Sequence, residues 1–426
     1  MRRVERVSIL VVSWNGRDHL ETCLPALVEQ RAAGAEIEIL VLDNGSSDGS
    51  AELVRRAYPD LVLAESPVNL GFAAGNNRLA ALATGDVLVL VNNDTRVEPG
   101  WLAALVDAYR SAPEDVAAVA GRIVDWNAER LDFGRGLLTF DGHALPLDQG
   151  RPLARARLPE SGEELLFGCG GNLLVRADSF RSAGGFDERF FAYFEDVDLG
   201  WRLWAGGERI VACAEAVVRH RLSATSARLG NRSRGALFER NALWTIAKNL
   251  EPPLRERLMP VVLLAFLARL DSMIAEEAGS RGLLGNALGS APAKAGKETV
   301  AAKLRRFGPV GFARRGAGKL LRSLAEAVAP KGNGGPRLEI AGDRSLAQLR
   351  ALAGFLDELD AVEADRGRIL ARRRRSDREI FERFPLWIVP TYPGDERLFA
   401  SAAFAAWLPQ ELRFERAALA DVLESP

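Results

Sequence analysis

Three short apolar runs, each ending in a cluster of small polar residues, set the tightest limit on how this chain folds. Residues 7–13 ("VSILVVS") lead into Trp14-Asn15-Gly16. Glu36–Leu42 ("EIEILVL") leads into residues 43–50 ("DNGSSDGS"), and Asp86–Val91 ("DVLVLV") into residues 92–95 ("NNDT"). Continuous β-branched runs of this length read as strands buried on both faces. Helical spacing falls between them, over Asp18–Gln30, Ala51–Ala57 and Glu98–Tyr109. A glycine-bearing loop, residues 69–77 ("NLGFAAGNN"), opens another helix to Ala83, and shorter strands are expected at Leu61–Ala64 and Val116–Ile123. Strand and helix alternating this closely predict an α/β fold with a mostly parallel sheet covered on both sides.

In such sheets ligands bind beyond the carboxyl ends of the strands, and the polar clusters fall on those ends. Ser13, Asn15, Asp43, Asn44, Asn92 and Asn93 are therefore candidates for one nucleotide site. Gly71, Gly75 and Asn76 join them from the loop that opens the helix: the glycines would allow close backbone approach, and the helix N-terminus could receive a phosphate. Neither G-x-x-x-x-G-K-[ST] nor G-x-G-x-x-G occurs, so the P-loop and dinucleotide readings lack their motif. Asp94 ends a hydrophobic strand. Beside a diphosphate it would ligate Mg²⁺ or Mn²⁺, because hard cations take oxygen ligands and share them with phosphates.

Residues 186–203 ("FDERFFAYFEDVDLGWRL") form the second focus. Gly184-Gly185 breaks the preceding helix-like run. After Asp196 the spacing of Val197, Leu199, Trp201 and Trp204 predicts a helix with one buried face. Glu195 and Asp196 would sit at its N-terminus, where backbone N–H groups and the helix dipole stabilise negative charge. Trp201 and Trp204 read as core. Residues 168–172 ("GCGGN"), with Gly170 and Gly171, precede a short strand Leu173–Val175, and small residues there would let a sugar approach the backbone. His220 follows a strand Arg209–Cys213 and a second short apolar run. His19 and His143 read as structural or surface residues.

Taken in order, "SILVVSWNG", "ILVLDNGSSDGS", "NLGFAAGNN", "LVNNDT", "GGNLLVRADSFRSAGGFDERFFAYFEDVDLGWRLWAGG" and "RNALWTIAKNL" span residues 7 to about 250. They resemble the family-2, GT-A-fold glycosyltransferases, bacterial rhamnosyltransferase-type members above all. That resemblance implies inverting transfer of a sugar from a nucleotide-diphosphate donor, dTDP- or UDP-linked, to an acceptor hydroxyl of a glycan or lipid-linked glycan. It implies that Asp43 contacts the nucleoside, Asp94 is the metal-binding end of a D-x-D motif, Asp196 is the catalytic base and His220 is a second metal ligand. Glu195 would orient the acceptor or the base, or serve as base itself. One departure is visible: Asn92 stands where D-x-D has its first Asp, which removes one charge from the metal site.

The net charge of −1 gives no bulk basic field for nucleic acid. Three widely spaced cysteines suit a reducing compartment, and the expected location is cytoplasmic, with the inner face of the cell membrane left open. No apolar stretch reaches about 18 residues, so no membrane span is expected; residues 259–267 ("MPVVLLAFL") read as a buried helix, with membrane-surface contact as the alternative. The division expected is a GT-A domain over 1–250, a helical extension and linker over 251–335, and a helical region over 336–426. Within these, Leu254–Met273 is helical, 275–300 a linker, Lys303–Val328 basic and amphipathic, 330–336 a break, and Ser345–Arg374 one long helix ending in Arg372–Arg375. Those arginines suit a helix C-terminus or an anionic lipid partner. The apolar, proline-rich 384–395 should pack on another domain or a second subunit. Two other readings stay open: a nucleotidyltransferase, disfavoured by "SWNGRD" after the first strand, and a catalytically silent sugar- or partner-binding scaffold.

Overall fold

The computed structural model describes residues 2–221, 231–278 and 343–423. Its first part alternates β1 (Arg6–Ser13), α1 (Arg17–Val28), β2 (Glu36–Asn44), α2 (Ser50–Ala57), β3 (Val62–Ser66), α3 (Gly71–Leu82), β4 (Val87–Val91), β5 (Thr95–Val97), α4 (Trp101–Ser111) and β6 (Val116–Asp125). After β6 come the short β7 (Leu131–Phe133), the hairpin β8 (Gly136–Leu138) and β9 (Ala144–Pro146), β10 (Glu164–Leu165), β11 (Asn172–Arg176), α5 (Ala177–Ser182), α6 (Glu195–Ala205) and β12 (Arg209–His220).

Ten strands form one sheet, whose main path runs β10-β12-β6-β11-β4-β1-β2-β3. Neighbours from β4 to β3 run parallel, as do β12 and β6. β11 is antiparallel to both strands that flank it. Period-two alternation divides the core between the two faces. Val7, Ile9 and Val11 of β1 pack with Leu20, Leu24 and Trp101 of α1 and α4. Leu10 of β1 packs on the other side with Ala73 and Leu79 of α3 and Trp201 of α6. Trp201 and Trp204 are fully buried, as expected for core residues.

β12 reaches further than its apolar start suggests. Cys213 lies opposite Gly121 of β6, and the next paired residue, Val217, lies opposite Arg122. Residues 214–216 thus bulge out of the ladder. Beyond the bulge the strand continues to His220, which pairs with Asp125 on one side and Thr95 of β5 on the other.

The rest of the described chain is mainly helical. α7 (Asn231–Asn249) and α8 (Pro252–Ala278) follow the sheet. The segment expected as one helix over Ser345–Arg374 is two, Asp343–Asp357 and Leu359–Arg372, separated at Glu358. Arg366 of the second donates to the carbonyls of Ala247 and Leu250 at 2.9 and 2.7 Å, satisfying acceptors that the end of α7 leaves unpaired. Leu386–Ile388, within the proline-rich stretch, pairs in parallel with Phe414–Arg416, and the Phe140 N–H at the β8–β9 hairpin donates to the Trp387 carbonyl. The expected linker beyond residue 278, the basic segment 303–328 and the break at 330–336 lie outside the described residues. One expectation needs correction. Residues 252–277 form a 26-residue helix whose most apolar 18-residue window has mean hydropathy 1.9, long and apolar enough to cross a membrane by length and composition, although 56% of that window is buried against the rest of the molecule. Isolated polar residues had hidden that length in the sequence.

Candidate active site

The carboxyl ends of β1, β2 and β4 lie side by side, with Ser13 in register with Asp43. The Asn93 amide donates to Ser13 Oγ at 2.9 Å. Asn15, in the left-handed region at φ 49°, donates its N–H to Ser46 Oγ and accepts from the Ser47 N–H, both at 2.8 Å. These bonds tie the first polar loop to the second. Asp43 is buried. One carboxylate oxygen accepts from the Ser46 N–H at 3.2 Å, and the other has no partner among the described residues. A buried acceptor left open in this way carries a desolvation cost that a ligand donor would remove.

Four of the expected nucleotide contacts are used by the fold instead. Asn44 holds the 69–71 loop, donating to the Gly71 carbonyl and accepting from the Leu70 N–H. Gly75 sits where a Cβ would come within 2.9 Å of Val12, so its smallness seats α3 on β1. The Asn76 amide donates to the Phe72 carbonyl inside α3. Gly71 faces Phe191, whose carbonyl accepts the N–H groups of Phe72 and Ala73 at 2.6 and 3.1 Å. The N-terminus of α3 therefore spends these donors on the chain, not on a phosphate.

Asp94 and His220 meet at the same edge. The imidazole Nε2 lies 3.3 Å from Asp94 Oδ1, and Nδ1 lies 2.6 Å from Asp132 Oδ2. The Gln149 amide donates to the other Asp132 oxygen at 2.8 Å. With Nδ1 fixed by a carboxylate, Nε2 is turned towards Asp94, where a cation would take the place of its proton, as in many metal-bound histidines. Burial works against charge on His220, but its bonds to Asp132 and Asp94 outweigh that and push it up to about 10. Burial would likewise raise Asp94; the hydrogen bond and charge of His220, with the charge of His19, hold it below its ordinary value. Among the described residues no set of three or more His, Cys, Asp or Glu is disposed to hold a metal. The donor set is one carboxylate and one oriented imidazole, which fits a divalent cation that takes its remaining ligands from phosphate and water.

The turn at 168–172 joins this arm to the acidic pair. A Cβ on Gly171 would come within 2.9 Å of the Asn92 amide. The Gly170 N–H donates to Asp196 Oδ2 at 3.0 Å, and the Val197 N–H to Asp196 Oδ1 at 2.9 Å. Glu195 is 5% exposed, and its Oε2 has no hydrogen-bond partner among the described residues. Burial, then the adjacent Asp196 charge, hold Glu195 well above the usual carboxylate range. Burial also raises Asp196, against the N–H groups of Gly170 and Val197. Both groups therefore favour a proton more than an ordinary carboxylate does.

A strained strap delivers the pair. Phe191, Tyr193 and Phe194 all have left-handed φ, between 62° and 71°, a costly conformation for bulky residues. Asn241 of α7 clamps the strap: its buried amide lies 3.0, 2.9 and 2.8 Å from the carbonyls of Phe190, Ala192 and Tyr193. One half-turn along α6, Asp198 accepts from Lys248 Nζ and the Asn249 amide, both at 2.9 Å. The "RNALWTIAKNL" motif thus braces the acidic pair from behind.

Several neighbours carried no sequence signal. Asp132 lies 88 positions before His220 in an unremarked short strand. His19, expected to be structural or at the surface, adds its charge to the surroundings of Asp94. Arg221 donates its N–H to the Asp94 carbonyl at 3.0 Å, and its guanidinium lies 4.3 Å from the centre of the Trp126 ring. His143 is structural, buried between Asp141 and Glu239 at 3.3 and 3.2 Å.

Residues 8–184 match the model of glycosyl transferase family 2. The chain is 32% identical over 232 residues to the N-acetylglucosaminyl-diphospho-decaprenol L-rhamnosyltransferase of Mycobacterium tuberculosis, covering 50% of this chain and 75% of that protein. The chain belongs to glycosyl transferase family 2. Its twisted α/β sheet, with helices on both faces, is the GT-A-type fold of that family, and it is a glycosyltransferase. It is also 31% identical over 234 residues to the O-antigen biosynthesis protein RfbC of Myxococcus xanthus, over 53% of this chain and 18% of that protein. The glucosyl-dolichyl phosphate glucuronosyltransferase of Haloferax volcanii is 29% identical over 171 residues, 38% of this chain and 51% of its own length.

Proposed function

We propose that this glycosyltransferase works with inversion and a divalent metal. It moves a sugar, rhamnose in the first instance, from a dTDP- or UDP-sugar to a hydroxyl of a glycan or lipid-linked glycan acceptor during cell-surface polysaccharide or glycolipid synthesis. The observation that carries the reading is the meeting of Asp94 with His220, oriented by Asp132, at the same sheet edge as Asp196. The 32% identity to a rhamnosyltransferase that, by its name, acts on a diphospho-decaprenol-linked sugar supports the donor and acceptor classes.

In this reading Asp43, with its open oxygen, receives the nucleoside. Asp94 and His220 would hold Mg²⁺ or Mn²⁺, which supplies positive charge to the departing diphosphate. Arg221, steadied on Trp126, adds a second cation on that side. Asp196 takes the proton of the acceptor hydroxyl as that oxygen bonds to the anomeric carbon, and the electron pair of the breaking bond leaves with the diphosphate oxygen. Glu195 orients the acceptor through its unpartnered oxygen. A silent scaffold would have no use for a buried carboxylate with one oxygen left open. The same reading keeps the protein cytoplasmic, at the inner face of the membrane when its acceptor is lipid-linked, with residues 1–250 carrying the transfer.

A thermal-shift screen of dTDP, UDP, GDP and CMP, with and without Mn²⁺ or Mg²⁺, tests the donor site. Stabilisation by one diphosphate should require metal and vanish in Asp94→Ala; saturating ligand at a hundredfold excess over Kd is worth about 2.7 kcal/mol. No shift with any of them would overturn the proposal.

A further inference from the structure

A further cavity lies away from the candidate active site. It measures about 1080 Å³ and lies between the 182–189 loop, the end of α6 and the helix Leu359–Arg372. Its position in the sheet is fixed by Arg176, which pairs with Val87 at the start of β4, and by Glu208, which precedes β12. The cavity therefore opens at the amino edge of the parallel strands. Asn172, at the other end of β11, is four residues or about 13 Å away, on the catalytic edge.

Eight basic and four acidic side chains line this cleft. Most of the basic ones are committed: Arg176 pairs with Glu208, Arg368 with Asp365, and Lys248 with Asp187 and Asp198. The arginine run divides in two. Arg375 lies on the Trp204 ring and donates to the Glu208 carbonyl, and Arg373 pairs with Asp377. Arg372 and Arg374 line the cleft, are exposed, and have no ion-pair partner among the described residues. Arg374 is held in place by its backbone, whose N–H donates to the Ala205 carbonyl at 2.7 Å, and by its stem against Gly207. With Asp198 and Asp377 counted among the partners of Lys248, Arg202 and Arg373, two positive charges are left over, those of Arg372 and Arg374.

We propose that this cleft is a second binding site, for a phosphate-bearing anion of two or more negative charges. Guanidinium groups lining one cleft suit phosphate oxygens, which they can engage in paired hydrogen bonds. Free polyphosphate and a phospholipid headgroup present the same chemistry, and the test separates them.

The full-length protein is titrated with pyrophosphate and tripolyphosphate in EDTA, so that no metal-dependent donor binding contributes, with thermal stability as readout. Saturable stabilisation is expected for wild type and equally for Asp94→Ala. Arg372→Ala/Arg374→Ala should weaken it by at least about tenfold, the worth of one charge-assisted hydrogen bond, and Arg372→Lys/Arg374→Lys should retain part of it. Both positions are exposed, and unchanged metal-dependent nucleotide binding checks that the variants fold. Flotation with cardiolipin-containing vesicles, whose headgroup carries two phosphates, against phosphatidylcholine vesicles, assigns the source: capture lost in the alanine pair marks a lipid headgroup, and soluble binding without capture marks a free anion. The proposal is overturned if neither probe binds, if the alanine pair binds as wild type does, or if Asp94→Ala removes the effect.

Discussion

Asn241→Ala should uncouple catalysis from donor binding. The Asn241 amide has two N–H groups shared among three strap carbonyls at 2.8–3.0 Å. Losing them forfeits two net hydrogen bonds, about 0.5–1.5 kcal/mol each, so stability should fall by about 1–3 kcal/mol. The strap is also strained. Three left-handed residues store on the order of 1 kcal/mol each or more, and without the clamp that strain relaxes by moving Phe194 and, with it, Glu195 and Asp196. A displacement near 1 Å costs about a hundredfold in rate. Ser13, Asn15 and Asp43 lie on other elements and are untouched. The expected result is kcat down by about two orders of magnitude, with the Kd for the donor diphosphate within about twofold of wild type. Chemical denaturation, calorimetric titration of the diphosphate and steady-state kinetics together check it. If kcat stays near wild type while stability drops, the strap does not position the base and the reasoning fails; if donor affinity collapses in parallel, the effect is global unfolding.

Three further outcomes are expected. Asp196→Asn should lower kcat by about 10²–10⁴ with the fold intact, the usual worth of a general base, as read by steady-state assay and circular dichroism. Asp132→Asn should weaken Mn²⁺ binding by about 10–100-fold, because it orients His220 without being a ligand; an unchanged metal titration would argue against that role. The pH dependence of stability has a definite sign. Glu195 is raised in the folded state, so the native protein retains a proton that the unfolded chain releases above about pH 4.3. Its contribution is present below that value and is lost as pH rises towards the folded pKa. Glu195→Gln should therefore flatten the decline in unfolding free energy above about pH 4.3, measured by denaturant titration across pH.

Much of this was legible in the residues because burial on both faces forces a continuous apolar strand, and a parallel sheet forces its turns to one edge. Asp94 stood out for that reason as a candidate; Asp196 stood out at the start of an amphipathic helix, and His220 only through the family resemblance. What stayed hidden depends on partners far apart in the chain. Asp132 orients His220 across two strands, and nothing near it in sequence records the contact. The left-handed Phe191, Tyr193 and Phe194 run against local preference, and only the Asn241 clamp makes them tenable. Gly71 and Gly75 show the opposite failure: glycine marks close approach, yet sequence does not say whether the approaching group is a phosphate, a Phe191 carbonyl or a Val12 side chain. The break at Glu358 was equally unreadable, since apolar spacing continues across it.

The unpaired residues 214–216 also make a ruler. Were β12 in unbroken register with β6, Val217 would stand opposite Asp125 and His220 would lie three residues, about 10 Å, past the sheet. An odd number of skipped positions also turns every later side chain to the other face. The spacing between the apolar start of this strand and its imidazole is therefore a counted length. An insertion or deletion that a surface loop would absorb would here move His220 away from Asp94 and Asp132, while leaving the composition, the hydropathy and nearly all of the core as they are.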